Sequence, residues 1–210
     1  MRKIQKNQEP ASLTEYKRHN PNHQYKDLID EQVRQDIRQA CAIEQYFLCA
    51  YCCKEISGTN VDTMNEHVQP RHHFPNLSMD FNNIVASCTQ NGHCDDSKGS
   101  QILPLTPLMN ECETELEFRL NGKVVAKTER AEQAIEILQL NHQKLCETRK
   151  QAIEGFLYIY GLGNPIDVED DELLASVIDD VYLIENGKMQ AFAPIAVNVM
   201  RNWINQVQAA

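Results

Sequence analysis

The sequence predicts an α+β fold in which a turn-rich, metal-held module is followed by a small β-hairpin and a mainly helical C-terminal half. Three observations carry this expectation. Cysteines and histidines concentrate between Cys49 and Leu103, where Gly58, Pro70, Pro75, Gly92 and Gly99 interrupt any long helix. Apolar and polar residues alternate on both sides of Asn121-Gly122. Beyond Arg130 the apolar residues recur at helical spacing.

The chain has 210 residues, 42% apolar and 24% charged, enough for one core and a small satellite. No window approaches the roughly 18 apolar residues of a membrane span, and Met1 to Lys6 lacks the apolar stretch of a secretory signal. A cytoplasmic location is therefore expected. Reduced thiols there favour metal over disulfides for the eight cysteines Cys41, Cys49, Cys52, Cys53, Cys88, Cys94, Cys112 and Cys146. The formal charge of −10 repels a polyanion, so any contact with nucleic acid must be local or assisted by a partner.

Along the chain, residues 1–28 read as a basic N-terminal arm, either a poorly ordered tail or a segment that orders on a partner or a phosphate backbone. Six Lys or Arg stand against two Glu in its first 26 residues. Residues 29–103 form the metal-held domain with its leading helix, in which Asp30 is the cap and Val33, Ile37, Cys41 and Leu48 share a face. Pro104 and Pro107 mark the boundary to 104–210, a hairpin plus a helical region suited to docking a partner. Its hairpin runs from Glu115 to Ala126 around Asn121-Gly122. Ile135, Leu138, Leu145, Ala152, Phe156 and Tyr160 predict one long helical segment ended by Gly161 and Gly163. An acidic amphipathic helix is expected within 167–185, since residues 165–186 hold eight acids and no Lys or Arg. Pro194, Ile195, Val199 and Trp203 predict a last helix.

Cys49 and Cys52 form a CxxC pair, and Cys88 with Cys94 offers a second pair after 35 intervening residues. Four thiolates suit tetrahedral zinc, with Cys53 and His93 as competing ligands. Between and after the pairs come Glu66-His67-Val68-Gln69-Pro70, then Asn82-Asn83-Ile84, then Cys94-Asp95-Asp96-Ser97-Lys98-Gly99. The ordered set from Cys49 to Gly99, about a quarter of the chain, resembles the HNH endonuclease motif.

That resemblance implies a zinc-stabilised ββα-metal core and a phosphodiester hydrolase. Glu66 would ligate a catalytic Mg²⁺ or Mn²⁺, and His67 would be the general base that takes a proton from water. Asn83 would fix the loop orienting the histidine, and Asp95 would complete the metal site. Glu at 66 stands where the family more often has Asp, and Asp at 95 where it has His or Asn; both keep oxygen ligands. Arg71, His72 and Lys98 are candidate substrate contacts, although His72 and His73 also suit a solvated loop and Lys98 a helix cap.

Met1-Arg2-Lys3-Ile4, Phe81 to Cys88, and Leu140-Asn141-His142 with Leu145 and Arg149 resemble the retron-associated and Septu-type HNH nucleases of bacterial antiphage defence. This narrower likeness implies an ABC or SMC-like ATPase partner and a retron reverse transcriptase with its nucleic acid. No GxxxxGK[ST] loop occurs here, so ATP use would lie in another chain. The competing reading is a non-catalytic zinc-binding interaction module, which needs only the cysteines.

Overall fold

In a computed structural model that describes residues 1–161 and 171–207, the chain is α+β, with seven α-helices and three two-stranded antiparallel sheets among the described residues. The first helix, α1 (Ala11–His19), starts after Pro10, whose fixed φ leads into the first turn. It lies within the stretch expected to be an arm, and that expectation needs correcting. Met1, Ile4, Leu13, Tyr25 and Leu28 are buried in the common core, and the Ile4 N–H donates to the Pro107 carbonyl at 2.8 Å. Apolar side chains spaced along the segment bury it. The basic residue Lys6 is drawn in as well, paired with buried Glu44, donating to the Ile84 carbonyl at 2.6 Å and standing 3.8 Å from the centre of the Phe81 ring.

The next helix, α2 (Glu31–Glu44), begins as expected at Asp30, whose carboxylate accepts from the backbone N–H groups of Gln32 and Val33. Val33, Ile37 and Cys41 point inward against a hairpin of β1 (Thr63–His67) and β2 (Ile84–Cys88). The register pairs Glu66 with Val85 and His67 with Ile84. β2 is buried along its whole length, whereas β1 alternates in its first residues. After β2 comes the four-residue helix α3 (Asp95–Lys98).

The C-terminal half opens with β3 (Leu116–Phe118) and β4 (Val124–Ala126), joined at Asn121-Gly122 as the sequence predicts. Gly122 is required twice over. Its φ is +78°, and a Cβ there would lie 2.0 Å from the Cys146 carbonyl oxygen. The expected single long helix is two, α4 (Glu129–Ile137) and α5 (Gln143–Ile159). A tertiary clamp accompanies the break: the Asn141 amide accepts from the Val124 N–H at 2.8 Å and donates to the Val124 carbonyl at 2.9 Å, while Gln139 takes a φ of +47°.

Gly161, with φ +68°, follows the end of α5; Gly163 lies outside the described residues. Of the expected acidic helix, residues 167–170 also lie outside them, and α6 (Asp171–Val181) buries Val177, Ile178 and Val181 while Asp179 and Asp180 stay exposed. A third hairpin, β5 (Ile184–Glu185) with β6 (Lys188–Met189), turns at Asn186-Gly187. The last helix, α7 (Ala193–Val207), has Pro194 as its second residue and packs Ile195 and Val199 into the core. No described helix is long and apolar enough to cross a membrane.

Replacing Lys6 by Met leaves Glu44 buried without its cation, and breaking a buried pair typically costs about 3–5 kcal/mol. Lys6→Met is therefore expected to lower the denaturant midpoint clearly. A free arm would give no change.

Candidate metal centre and carboxylate cleft

Cys49 and Cys52 lie on a tight reversal between α2 and β1, closed by Cys53 N–H to Cys49 O (3.0 Å) and Cys49 N–H to Lys54 O (2.8 Å). Cys88 ends β2, and Cys94 precedes α3 with a φ of +59°. All four are buried, and their sulfurs lie within 4.8 Å of one another. Cys49 Sγ is 4.0 Å from Cys94 Sγ, and Cys52 Sγ is 3.8 Å from Cys88 Sγ. Four sulfurs about 2.3 Å from a tetrahedral ion stand about 3.8 Å apart, so the cluster could hold a metal such as zinc.

The four thiols act on one another: Cys49 and Cys88 are held down, whereas Cys52, through its hydrogen bonds to Cys49 and Cys88, and Cys94, through burial, are pushed well up. The Cys88 N–H donates to Cys49 Sγ at 3.3 Å, and His93 Nδ1 lies 3.1 Å from Cys94 Sγ. Hydrogen bonds from Cys49 and then from Cys52 and Cys94 push the Cys88 thiol strongly down. Of the two competing ligands, Cys53 stays outside the four-sulfur group, and His93 approaches a sulfur rather than joining the set. Arg149, fully buried on α5, donates to the carbonyls of Gly122 (2.9 Å) and Leu140 (2.6 Å) and adds a positive charge that acts on the cysteines.

Beside this cluster, a cleft of about 400 Å³ is lined by Glu66, His67, Arg71, His72, Asp95 and Lys98, among others. β1 delivers Glu66 and His67 as its last two residues, and α3 delivers Asp95 and Lys98 at its two ends. Glu66 Oε1 accepts from Lys98 Nζ at 2.6 Å and from the Tyr51 hydroxyl at 3.2 Å. Burial, and then the Asp95 carboxyl beside it, push Glu66 up to about 8, against the opposing pull of Lys98.

His67 is 3% exposed, and its Nε2 lies 2.9 Å from the Ser78 carbonyl. Burial brings its pKa down to about 4, so the ring is neutral at pH 7. A carbonyl can only accept, so Nε2 carries the proton and Nδ1 keeps its lone pair. The Tyr25 ring packs against the imidazole edge to face, centroids 4.7 Å apart.

Asn83 joins the two ends of the intervening loop. Its Oδ1 accepts from the Gln69 N–H at 2.7 Å, and its Nδ2 donates to the carbonyls of Gln69 (3.0 Å) and Leu77 (3.2 Å). Arg71 and His72 are exposed at the rim, Arg71 over the Tyr25 ring at 5.1 Å and His72 against His73. Lys98 departs from its expected role as a substrate contact. At 1% exposure it is committed to Glu66 and to the His67 carbonyl (3.0 Å).

Glu66 and Asp95 bring two oxygen-donor side chains together, the kind a hard divalent ion would take, and Lys98 already occupies Glu66. Among the described residues, no third His, Cys, Asp or Glu joins them in a tighter ligand group. Sequence reasoning missed Tyr51 and Tyr25. The first lies inside the CxxC pair, where only its position hints at a role; the second lies in the supposed arm. A larger groove of about 800 Å³, lined by Glu55, Tyr160, Asp180 and Lys188 among others, holds none of these groups. No protein-family profile matches the chain, and no curated protein matches it.

Elemental analysis of protein purified without added metal is expected to find one zinc per chain. Structural zinc can supply on the order of 10 kcal/mol of apparent folding energy, so Cys49→Ser combined with Cys52→Ser should leave the 49–103 module unfolded. Unchanged thermal unfolding in that variant would argue against a metal at the cluster.

Proposed function

We propose that the chain is a metal-dependent HNH endonuclease that hydrolyses phosphodiester bonds in nucleic acid. The observation that supports this best is the convergence of Glu66, His67 and Asp95 in one cleft, on a hairpin followed by a short helix and beside the four-cysteine cluster. In this reading zinc in the cluster is structural, and Glu66 and Asp95 hold Mg²⁺ or Mn²⁺. When bound, that ion supplies Lewis-acid stabilisation of the charge that develops on the phosphodiester.

The remaining work falls to the chain's own groups. His67 is the general base: the Ser78 carbonyl fixes the N–H on Nε2, and Nδ1 takes the proton from water. Asn83 pins the loop that carries the Ser78 carbonyl's neighbour Leu77 and so holds the ring in place. Arg71 and His72, exposed at the rim, contact the phosphate backbone and give an otherwise acidic chain a local foothold. Lys98 neutralises Glu66 in the absence of a second cation.

We assign the chain to the effector role in a bacterial antiphage complex with an ABC or SMC-like ATPase and a retron reverse transcriptase. This assignment rests on the resemblance of Met1 to Ile4, Phe81 to Cys88 and Leu140 to Arg149, and the exposed acids of α6 offer a docking face. One observation favours the non-catalytic zinc module instead, namely that Glu66 already has a cationic partner in Lys98.

Nuclease assays on DNA and RNA with two variants separate these readings. General-base assistance is worth about 10²- to 10⁴-fold, so His67→Ala should cut at or below about one per cent of the wild-type rate, without rescue by Mg²⁺. Asp95→Ala should lose affinity for the divalent ion and recover in part at high Mg²⁺ or Mn²⁺. Near-normal cleavage by His67→Ala would refute the nuclease assignment.

A further inference from the structure

Tyr51 is the one fully buried tyrosine in the turn between Cys49 and Cys52, and its hydroxyl needs an acceptor there. That acceptor is Glu66 Oε1, at 3.2 Å. The same oxygen takes Lys98 Nζ at 2.6 Å, and the Asp95 carboxyl stands beside the group. The turn is itself fixed to the strand that carries Glu66. The Ala50 N–H donates to the Ala86 carbonyl at 3.0 Å, and Val85, next to Ala86, is the register partner of Glu66. Backbone and side chain thus close a ring: Ala50 to Ala86, across the hairpin to Glu66, and back through its carboxylate to Tyr51. Asp95, the other carboxylate of the cleft, directly follows Cys94. Two of the three groups around Glu66, Tyr51 and Asp95, are therefore direct chain neighbours of cysteines in the cluster, and Lys98 is the third.

We propose that Tyr51 is a positioning residue that ties the Glu66 carboxylate to the cysteine cluster, so that the cluster's order sets the geometry of the Glu66–Asp95 pair. This rests on the nuclease reading. A glutamate on a strand end has three side-chain rotors. With Oε1 held by Tyr51 and Lys98, the carboxyl group is fixed beside Asp95, the other member of the pair. Phenylalanine keeps the ring and its packing and removes only the hydroxyl, so the carboxylate is released while the turn stays filled.

The test is Mn²⁺ binding to the zinc-loaded full-length chain, followed by the Mn²⁺ spin-resonance signal, in wild type, Tyr51→Phe, Glu66→Gln and the double variant. Hydrogen-bond partners of metal ligands are typically worth about 10- to 100-fold in metal affinity, so Tyr51→Phe should weaken Mn²⁺ by that factor with zinc content unchanged. The double variant should be no weaker than Glu66→Gln, because the hydroxyl acts through that carboxylate. In cleavage, Tyr51→Phe should need more Mg²⁺ yet approach the wild-type rate at saturation, a split that a general loss of fold would not give. Wild-type Mn²⁺ affinity in Tyr51→Phe would overturn the proposal. So would loss of zinc from that variant, which would confine the hydroxyl's role to the cluster. If the wild-type chain retains zinc but binds no Mn²⁺, the nuclease reading fails, and this proposal with it.

Discussion

The meeting of four cysteine sulfurs from three separate segments is the constraint on which the site depends. Cys49 and Cys52 come from the turn after α2, Cys88 from the end of β2, and Cys94 from the lead into α3. The intervening secondary structure is slight: two five-residue strands and a helix of four residues. A lone two-stranded hairpin is marginal in water, and a helix of one turn has no independent stability. What locates Glu66, His67 and Asp95 relative to one another is thus the packing of β1 and β2 on α2 together with the convergence of the four sulfurs, which a metal would cross-link.

Much of this was legible because the signals are local. A CxxC pair, an Asp before a helical stripe, an Asn-Gly between alternating strands and a Pro at a helix start each act over a few residues, and each is found where the sequence places it. The packing of residues 1–28 was not legible, because the group that draws Lys6 inward is Glu44, 38 positions away on another element. The break between α4 and α5 is hidden for the same reason. Neither glycine nor proline stands there, and the clamp runs from Asn141 to the backbone of Val124. The hairpin at Asn186-Gly187 carries the same turn signal as Asn121-Gly122, but its strands have two residues each, too few to show an alternation.

Within the cleft, residue types were readable and their pairing was not. Glu66, His67 and Asp95 stand out by order along the chain, whereas the lysine three positions after Asp95 reads equally well as a phosphate contact or a helix cap. Its burial decides otherwise. A lysine with 1% exposure needs an anion, and Glu66 is the carboxylate that β1 places within 2.6 Å. Tyr51 is the converse case, a residue inside the CxxC pair whose hydroxyl donates to the same oxygen.

The charge balance around Glu66 connects these local contacts to the chain as a whole. Two carboxyl groups and one ammonium share a largely buried space, where burial and the neighbouring Asp95 push Glu66 up while Lys98 pulls it down. The formal −10 of the chain opposes a bare phosphodiester at the surface. In the proposed nuclease a divalent ion between Glu66 and Asp95 would add positive charge there, and Arg71 at the rim would extend it outward. On that proposal the acidity of the chain is compatible with a nucleic-acid substrate, because approach to the cleft would be conditional on the cation and contact would be confined to the rim where Arg71 stands.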